Sequence, residues 1–296
     1  EAKKDGIAFE DASEYDWVGT RIAPAPVNLA YTWNKVLAYE NGQLVIGEST
    51  LLYQLPIMIG PGMNIHRTAY NGRNVEYYSE DPILSGFTGS AVVQGAQSKG
   101  SLVNIKHVGF NTQEANRSGV CELLNEQAAR ELELRNLYQA FTGKGRSSKM
   151  DDSIAAGETD NIYAAEGALG TMTAYNRIGM VASSANYAVQ YTILREEWGF
   201  NGYSVTDFTG LNPVAAPKES IMAGTTAFCG FGANDPYINL NNLNAIAADS
   251  DLAAAIQEGM HFAVYAISRS YAVDLMNNIY TVSLNTWWRS LYTALI

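Results

Sequence analysis

Cysteine, histidine and net positive charge are all scarce in this sequence, and each shortage narrows what the chain can do. Only Cys121 and Cys229 are present, without CxxC spacing. Two cysteines cannot build a disulfide framework, so two reduced, packed thiols are expected, with a single bridge as the alternative. The three histidines, His66, His107 and His261, are scattered and show no metal-ligand spacing. Nineteen Lys and Arg face 30 Asp and Glu, a formal net charge of −11. A field of that sign repels phosphate, which argues against nucleic acid and anionic membrane as partners and leaves neutral or cationic ligands open. No apolar run is long enough to span a bilayer. The first residues, "EAKKDGIAFEDASEYD", have no apolar core of the signal-peptide kind. There is no internal repeat.

What is present is material for a core. Hydrophobic residues make up 47% of the 296 and charged ones 17%, a globular composition for one large domain or two small ones. Short apolar runs bounded by Gly, Pro, Asn or Asp predict strands at 55–62, 102–110, 169–176, 203–208 and 225–230. Helical patterns lie between them. "SEDPILSGFTGSAVVQGAQSKG" opens on a helix-start signal and closes on Gly100; "CELLNEQAARELELRNLYQAF" is amphipathic through Leu123, Leu124, Ala128, Leu132 and Leu134. "ANYAVQYTILREEWG", closed by Gly199, and "DLAAAIQEGMHFAVYAISRSYAVDLM" are two more. Strand and helix in alternation imply parallel strands joined by crossover helices. The polar, charged segment 143–161 interrupts the rhythm and reads as an exposed inserted loop.

The strands are apolar until their last residues, where their character changes. Asn64, His66 and Arg67 follow the first, Lys106 and His107 end the second, Tyr175 and Asn176 the third, and Asp207 the fourth. Polar groups at the carboxyl ends of parallel strands build the site of a barrel, and equally of a doubly wound sheet; the barrel is the preferred reading of the two. Asp207 in "NGYSVTDFTG" could cap the following turn or attack a substrate. Tyr175 and Phe208 could floor a site or simply pack. Lys106 and His107 are neighbours on a strand, so both can reach a site only where the strand ends at its mouth. Alone, Lys106 would also suit a Schiff base. Arg73 stands ahead of Glu76, Glu80 and Asp81, the last two most simply first-turn helix acids.

Taken together, "GPGMNIHR" (60–67), "NGRNVEYYSEDP" (71–82), "IKHVGFNTQEANRSG" (105–119), "MTAYNRI" (172–178) and "LREEWGFNGYSVTDF" (194–208) resemble, in order, the motifs of glycoside hydrolase family 3, the β-glucosidase type. The resemblance covers roughly residues 26–275. It implies an α/β fold, a (β/α)8 TIM-like barrel whether complete or not, and retaining hydrolysis of a β-glucoside or β-linked oligosaccharide without a cofactor. Asp207 matches the nucleophile. Arg73, Lys106 and His107 match residues that hydrogen-bond the sugar, while Met172 and Tyr175 match residues that line its subsite. Phe208 stands where the family usually has Trp. Lys106 and Arg73 would lower the Asp207 pKa by favouring its charged form.

The departures shape the expected organisation. In this family the acid/base Glu comes from an α/β sandwich domain, and no stretch of this sequence resembles it, so that group is expected on another domain or chain. The upstream sugar-binding Asp has no match, since Asp16 and Arg21 in "YDWVGTR" are wrongly spaced. The implied layout is an N-terminal segment 1–25 without assignment, a barrel over 26–275 and a C-terminal helical tail over 276–296, as a portion of a longer enzyme, in an order that would suit a permuted member. "KHVGFNTQE" also differs from the loop of the N-acetylglucosaminide branch. A non-catalytic sugar-binding barrel and a β-xylosidase are the alternatives.

Overall fold

The computed structural model describes residues 3–4, 7–8, 23–53, 56–117, 119–143, 167–209, 217–230 and 248–273. Asp16, Arg21, residues 144–161 of the inserted loop and the tail 276–296 lie outside the described residues. Five strands carry the fold: β1 Ile57–Gly62, β2 Leu102–Val108, β3 Gly170–Thr173, β4 Tyr203–Phe208 and β5 Ala227–Cys229. All five expected strands are therefore found. They lie side by side in chain order, every pairing parallel, with Met58 opposite Val103, Ile105 opposite Thr171, and Met172 opposite Val205. A doubly wound sheet reverses its order at a switch point. This one never reverses, so it is five successive staves of a barrel wall.

Helices α1 Lys35–Tyr53, α2 Pro82–Gln97, α3 Arg135–Thr142, α4 Ala188–Glu197, α5 Pro217–Met222 and α6 Ser250–Ser268 precede, link or follow these strands. The α2 start is dictated locally. Pro82 fixes the first helical φ, and the Asp81 carboxylate accepts the Ile83 N–H at 2.8 Å. Asp81 is thus the N-cap rather than a first-turn acid, and Glu80 precedes it. Gly199, with φ +71°, closes α4 as expected, and α4 is wound with the wider π pitch. The core lies between sheet and helices, where Val103, Ile105 and Val108 of β2 meet Val92, Val93 and Ala96 of α2, Leu137 and Phe141 of α3, and Leu194 of α4.

Three expectations are corrected. The amphipathic helix does not begin at Cys121, because Cys121–Glu122 pairs as a short strand with Arg177–Ile178. Helix starts only after Asn125, whose side chain accepts the Ala128 N–H at 2.8 Å, and Leu123 is left 80% exposed. The helix α6 ends at Ser268, not at Met276, and residues 274–276 lie outside the described residues. Both cysteines are free but half-buried rather than packed inside. The peptide bonds Gly60–Pro61 and Lys106–His107 are cis.

Helices α1 and α2 touch backbone to backbone through Gly42 and Gly95. A Cβ on Gly95 would strike the Tyr39 carbonyl oxygen, and one on Gly42 the Val92 carbonyl oxygen. Gly95→Ala should lower stability by about 1–3 kcal/mol in denaturant unfolding, since the clash outweighs the roughly 1 kcal/mol that Ala gains in a helix. Gly72→Ala is the control: nothing lies within 4 Å of its Cβ position, and its effect should stay within about 0.5 kcal/mol.

Candidate active site

The parallel arrangement delivers all strand carboxyl ends to one side of the sheet, and the chemistry-bearing residues gather there. β1 runs into Asn64, β2 carries Lys106 and His107 just before its last residue, β3 leads to Tyr175, and β4 ends in Asp207 and Phe208. Asn64 and His107 bind each other reciprocally. The His107 N–H donates to Asn64 Oδ1 at 2.9 Å, and Asn64 Nδ2 donates to the His107 carbonyl at 3.0 Å. Asn64 Oδ1 also lies 3.3 Å from His107 Nδ1, which fixes the ring and turns Nε2 toward Asp207 Oδ2, 3.6 Å away. That separation exceeds a hydrogen bond. Burial, followed by the charges of Arg73, Lys106 and Arg117, holds the imidazole pKa well below the usual histidine value. His107 is therefore a neutral polar group and not a counter-ion.

Asp207 is 9% exposed, and its Oδ1 accepts the N–H of Phe208 at 2.8 Å. Burial raises its pKa, while that backbone bond and the charges of Arg73, Arg117 and Lys106 pull the other way. The cations act in the expected direction, yet desolvation outweighs them and the net shift is upward. The expectation that Lys106 and Arg73 set a lowered pKa is corrected on this point.

The cations are arranged in a chain with two carboxylates. Lys106 Nζ lies 3.3 Å from Glu76 Oε2, and Glu76 Oε1 is in close contact with Arg73 Nε. Arg73 Nη1 is 3.5 Å from Glu114 Oε1, and Arg117 Nη1 is 3.0 Å from Glu114 Oε2. Three cations and two carboxylates leave one positive charge, which an ionised Asp207 balances. The Arg117 guanidinium lies 4.5 Å from the centre of the Tyr175 ring, within cation–π range. The Tyr175 hydroxyl donates to the Phe208 carbonyl at 2.7 Å. Its pKa is raised, first by burial and then by the charge of Asp207, so the phenol keeps its proton.

Asp207, His107, Lys106, Arg73, Tyr175 and Phe208 are thus brought together by contacts or by charge. Met172 is 2% exposed in β3, in register between Lys106 and Val205, and packs in the wall beneath. Sequence reading missed Glu76, Glu114 and Arg117 as members of this group. The available signal was spacing, since each Glu stands three residues from the Arg it binds. Among the described residues no group of three or more His, Cys, Asp or Glu converges as a metal site, and no helix is long and apolar enough to cross a membrane. A cavity of about 410 Å³, lined by Tyr138, Phe141, Trp198, Phe200, Tyr265 and Arg269 among others, includes residues just ahead of β3 and β4. It therefore sits at the other end of the strands from Asp207 and is no part of this site.

Comparison with known proteins identifies the family and the fold. Residues 17–228 match the glycosyl hydrolase family 3 N-terminal domain. A β-glucosidase of Ruminococcus albus is 34% identical over 193 residues, covering 64% of this chain and 18% of that protein. An exo-α-(1->6)-L-arabinopyranosidase of Bifidobacterium longum is 31% identical over 193 residues, covering 65% of this chain and 22% of its own. The structure of β-glucosidase 3B from Thermotoga neapolitana in complex with glucose superposes with a TM-score of 0.68 at 29% identity, over 84% of this chain and 32% of that one. The described sheet is thus an α/β fold matching the family's barrel domain. The chain spans about a fifth of the length of these two relatives.

The balance of charge around Asp207 can be tested directly. Arg73→Gln removes one cation and frees Glu76 and Glu114 from it. Both effects disfavour the carboxylate, so the Asp207 titration, followed by carboxyl NMR, should move to higher pH. A titration that stays in place or moves down would contradict the arrangement.

Proposed function

The chain belongs to glycosyl hydrolase family 3, and from that premise we propose that it is the barrel of a retaining β-glycosidase acting on terminal β-D-glucosides. The observation that carries the reading is the position of Asp207: a buried carboxyl at a strand end, beside a neutral histidine and within the field of three cations. In this reading the Asp207 carboxylate attacks the anomeric carbon and forms a glycosyl ester as the glycosidic bond breaks and a second carboxyl group gives its proton to the leaving oxygen. That group, now a carboxylate, takes a proton from water, which attacks the same carbon and releases Asp207. Arg73, Lys106 and His107 hydrogen-bond the sugar hydroxyls, and Tyr175 and Phe208 line the subsite with Met172 in the wall behind them, within a barrel taken as residues 26–275.

The second carboxyl is assigned to an α/β sandwich domain or a second chain. Glu76 and Glu114, the acids beside the site's cations, are each engaged by two of them, an arrangement suited to holding cations rather than delivering a proton. The Bifidobacterium longum relative's name favours a second reading, a pentopyranosidase. A pentopyranoside lacks the hydroxymethyl group of glucose, and a β-xyloside shares that feature.

Dinitrophenyl glycosides allow the chain to be tested as it stands, because that leaving group departs without a proton. The dinitrophenyl β-D-glucoside should release dinitrophenolate in a first-turnover burst, and Asp207→Ala should slow that release on the order of 10⁴-fold, the scale of losing a covalent nucleophile. An unchanged burst in that variant removes Asp207 from the role. Faster cleavage of the β-xyloside or α-L-arabinopyranoside than of the glucoside selects the second reading.

A further inference from the structure

Behind the candidate site lies a buried acid that the proposed reaction does not use. Glu122 is 6% exposed, while Leu123 beside it is 80% exposed, the reverse of what hydrophobicity alone would give. Hydrogen bonds account for the inversion. Glu122 Oε1 accepts the Thr112 N–H at 3.3 Å and Asn176 Nδ2 at 2.6 Å, and Oε2 accepts the Thr112 hydroxyl at 2.9 Å. Thr112 and Asn176 are themselves buried, so these donors depend on the carboxylate for their partner. The backbone of Glu122 is fixed as well. Cys121–Glu122 pairs with Arg177–Ile178, and the Gly179 N–H donates to the Glu122 carbonyl at 2.9 Å.

The two residues that Glu122 joins stand on opposite sides of a contact in the site. Thr112 lies on the loop Gly109–Arg117, ahead of Arg117, and Asn176 directly follows Tyr175. The Arg117 guanidinium rests 4.5 Å from the centre of the Tyr175 ring, and the Tyr175 hydroxyl donates to the Phe208 carbonyl at 2.7 Å. Arg117 also meets Glu114, through Nη1 at 3.0 Å and through its N–H, which donates to the Glu114 carbonyl at 3.2 Å. Both residues belong to the same loop, so these contacts shape its turn without attaching it to the end of β3. Asn111 anchors the start of the loop elsewhere, its Nδ2 donating to the Tyr77 hydroxyl at 2.8 Å. The attachment to the β3 end comes from Glu122.

We infer that Glu122 is a positioning residue: its carboxylate clamps Thr112 to Asn176 and thereby seats the Arg117 guanidinium over the Tyr175 ring. Seated there, Arg117 favours the ionised form of Asp207, so Glu122 acts on the site through a side chain it does not touch. Without the clamp, the loop can carry Arg117 off the ring and into solvent, to which its side chain is already 27% exposed. The inference is independent of the glycosidase reading, since it concerns how a cation of the site is held and not what the site binds.

Carboxyl NMR of Asp207 tests this, because removing Glu122 has two effects of opposite sign there. Loss of a negative charge by itself favours the Asp207 carboxylate and moves its titration to lower pH. Release of Arg117 withdraws a cation and moves the titration to higher pH. Glu122→Ala should therefore shift it upward, and in an Arg117→Gln background the same substitution should shift it downward or not at all. An unmoved or lowered titration in Glu122→Ala alone, or an upward shift that persists without Arg117, overturns the inference. Should Glu122→Ala fail to fold, Asn176→Ala serves instead, since it removes the 2.6 Å bond on the strand side and no charge. Its shift should also be upward and should vanish in the Arg117→Gln background. An unmoved or lowered titration in Asn176→Ala overturns the inference equally.

Discussion

Everything around the candidate site follows from one electrostatic constraint: a carboxyl group at Asp207 has been taken almost wholly out of water. Burial favours its neutral form, and only fixed dipoles and charges can restore the ionised one. The Phe208 N–H, Arg73, Arg117 and Lys106 supply that support. Three cations gathered at one strand end would repel each other, however, by about 4 kcal/mol for a pair at 4 Å and an effective dielectric of 20. Glu76 and Glu114 sit between them and offset this, so that the order runs Lys106, Glu76, Arg73, Glu114, Arg117. The loops around Arg73 and Arg117 are shaped by that alternation.

The fold meets the constraint because parallel strands end on the same side. No single element could bring these groups together: Lys106 and His107 come from β2, Asp207 from β4, and the arginines from the loops beyond β1 and β2. The wall beneath is apolar and closely packed, with Met63, Ile105, Val108 and Met172 at 2% exposure or less. Rigid packing of that kind transmits position, so the reciprocal Asn64–His107 bonds set the imidazole against the Asp207 carboxylate without a direct hydrogen bond. Glu122, which accepts both the Thr112 N–H and Asn176 Nδ2, fixes the loop beyond β2 to the same frame.

Much of this was legible in the residues. The five strands could be read because doubly buried parallel strands must be almost continuously apolar, and the Gly, Pro and Asp at their ends mark where burial stops. Helix α2 announced itself through Ser-Glu-Asp-Pro, although Asp81 turned out to be the cap. Helix α1 was not read, because its apolar residues do not keep to one stripe: Ala38 is buried beside the exposed Val36 and Leu37. The stretch from Cys121 misled in the opposite sense, since a helical pattern at Leu123 and Leu124 was overridden by the pairing of Cys121–Glu122 with a distant strand. Asp207, Lys106 and His107 were found from their place at strand ends and from motif resemblance. Glu76, Glu114 and Arg117 were passed over as site members because a loop acid or base looks the same whether it meets solvent or a partner. The upward shift at Asp207 was hidden for a related reason: sequence shows which charges exist but not how much water has been removed from around them.

The central claim is that the Asp207 carboxylate, as held here, is a nucleophile toward an anomeric carbon. The most direct measurement is peptide mapping by mass spectrometry after incubation with a 2-deoxy-2-fluoro-β-D-glucoside bearing a dinitrophenyl leaving group. Such a compound needs no acid catalyst to depart and leaves a slowly hydrolysed glycosyl ester behind. The account predicts one fluoroglucosyl group, on the peptide containing Asp207. A label on another carboxylate, or an unlabelled chain, would contradict it.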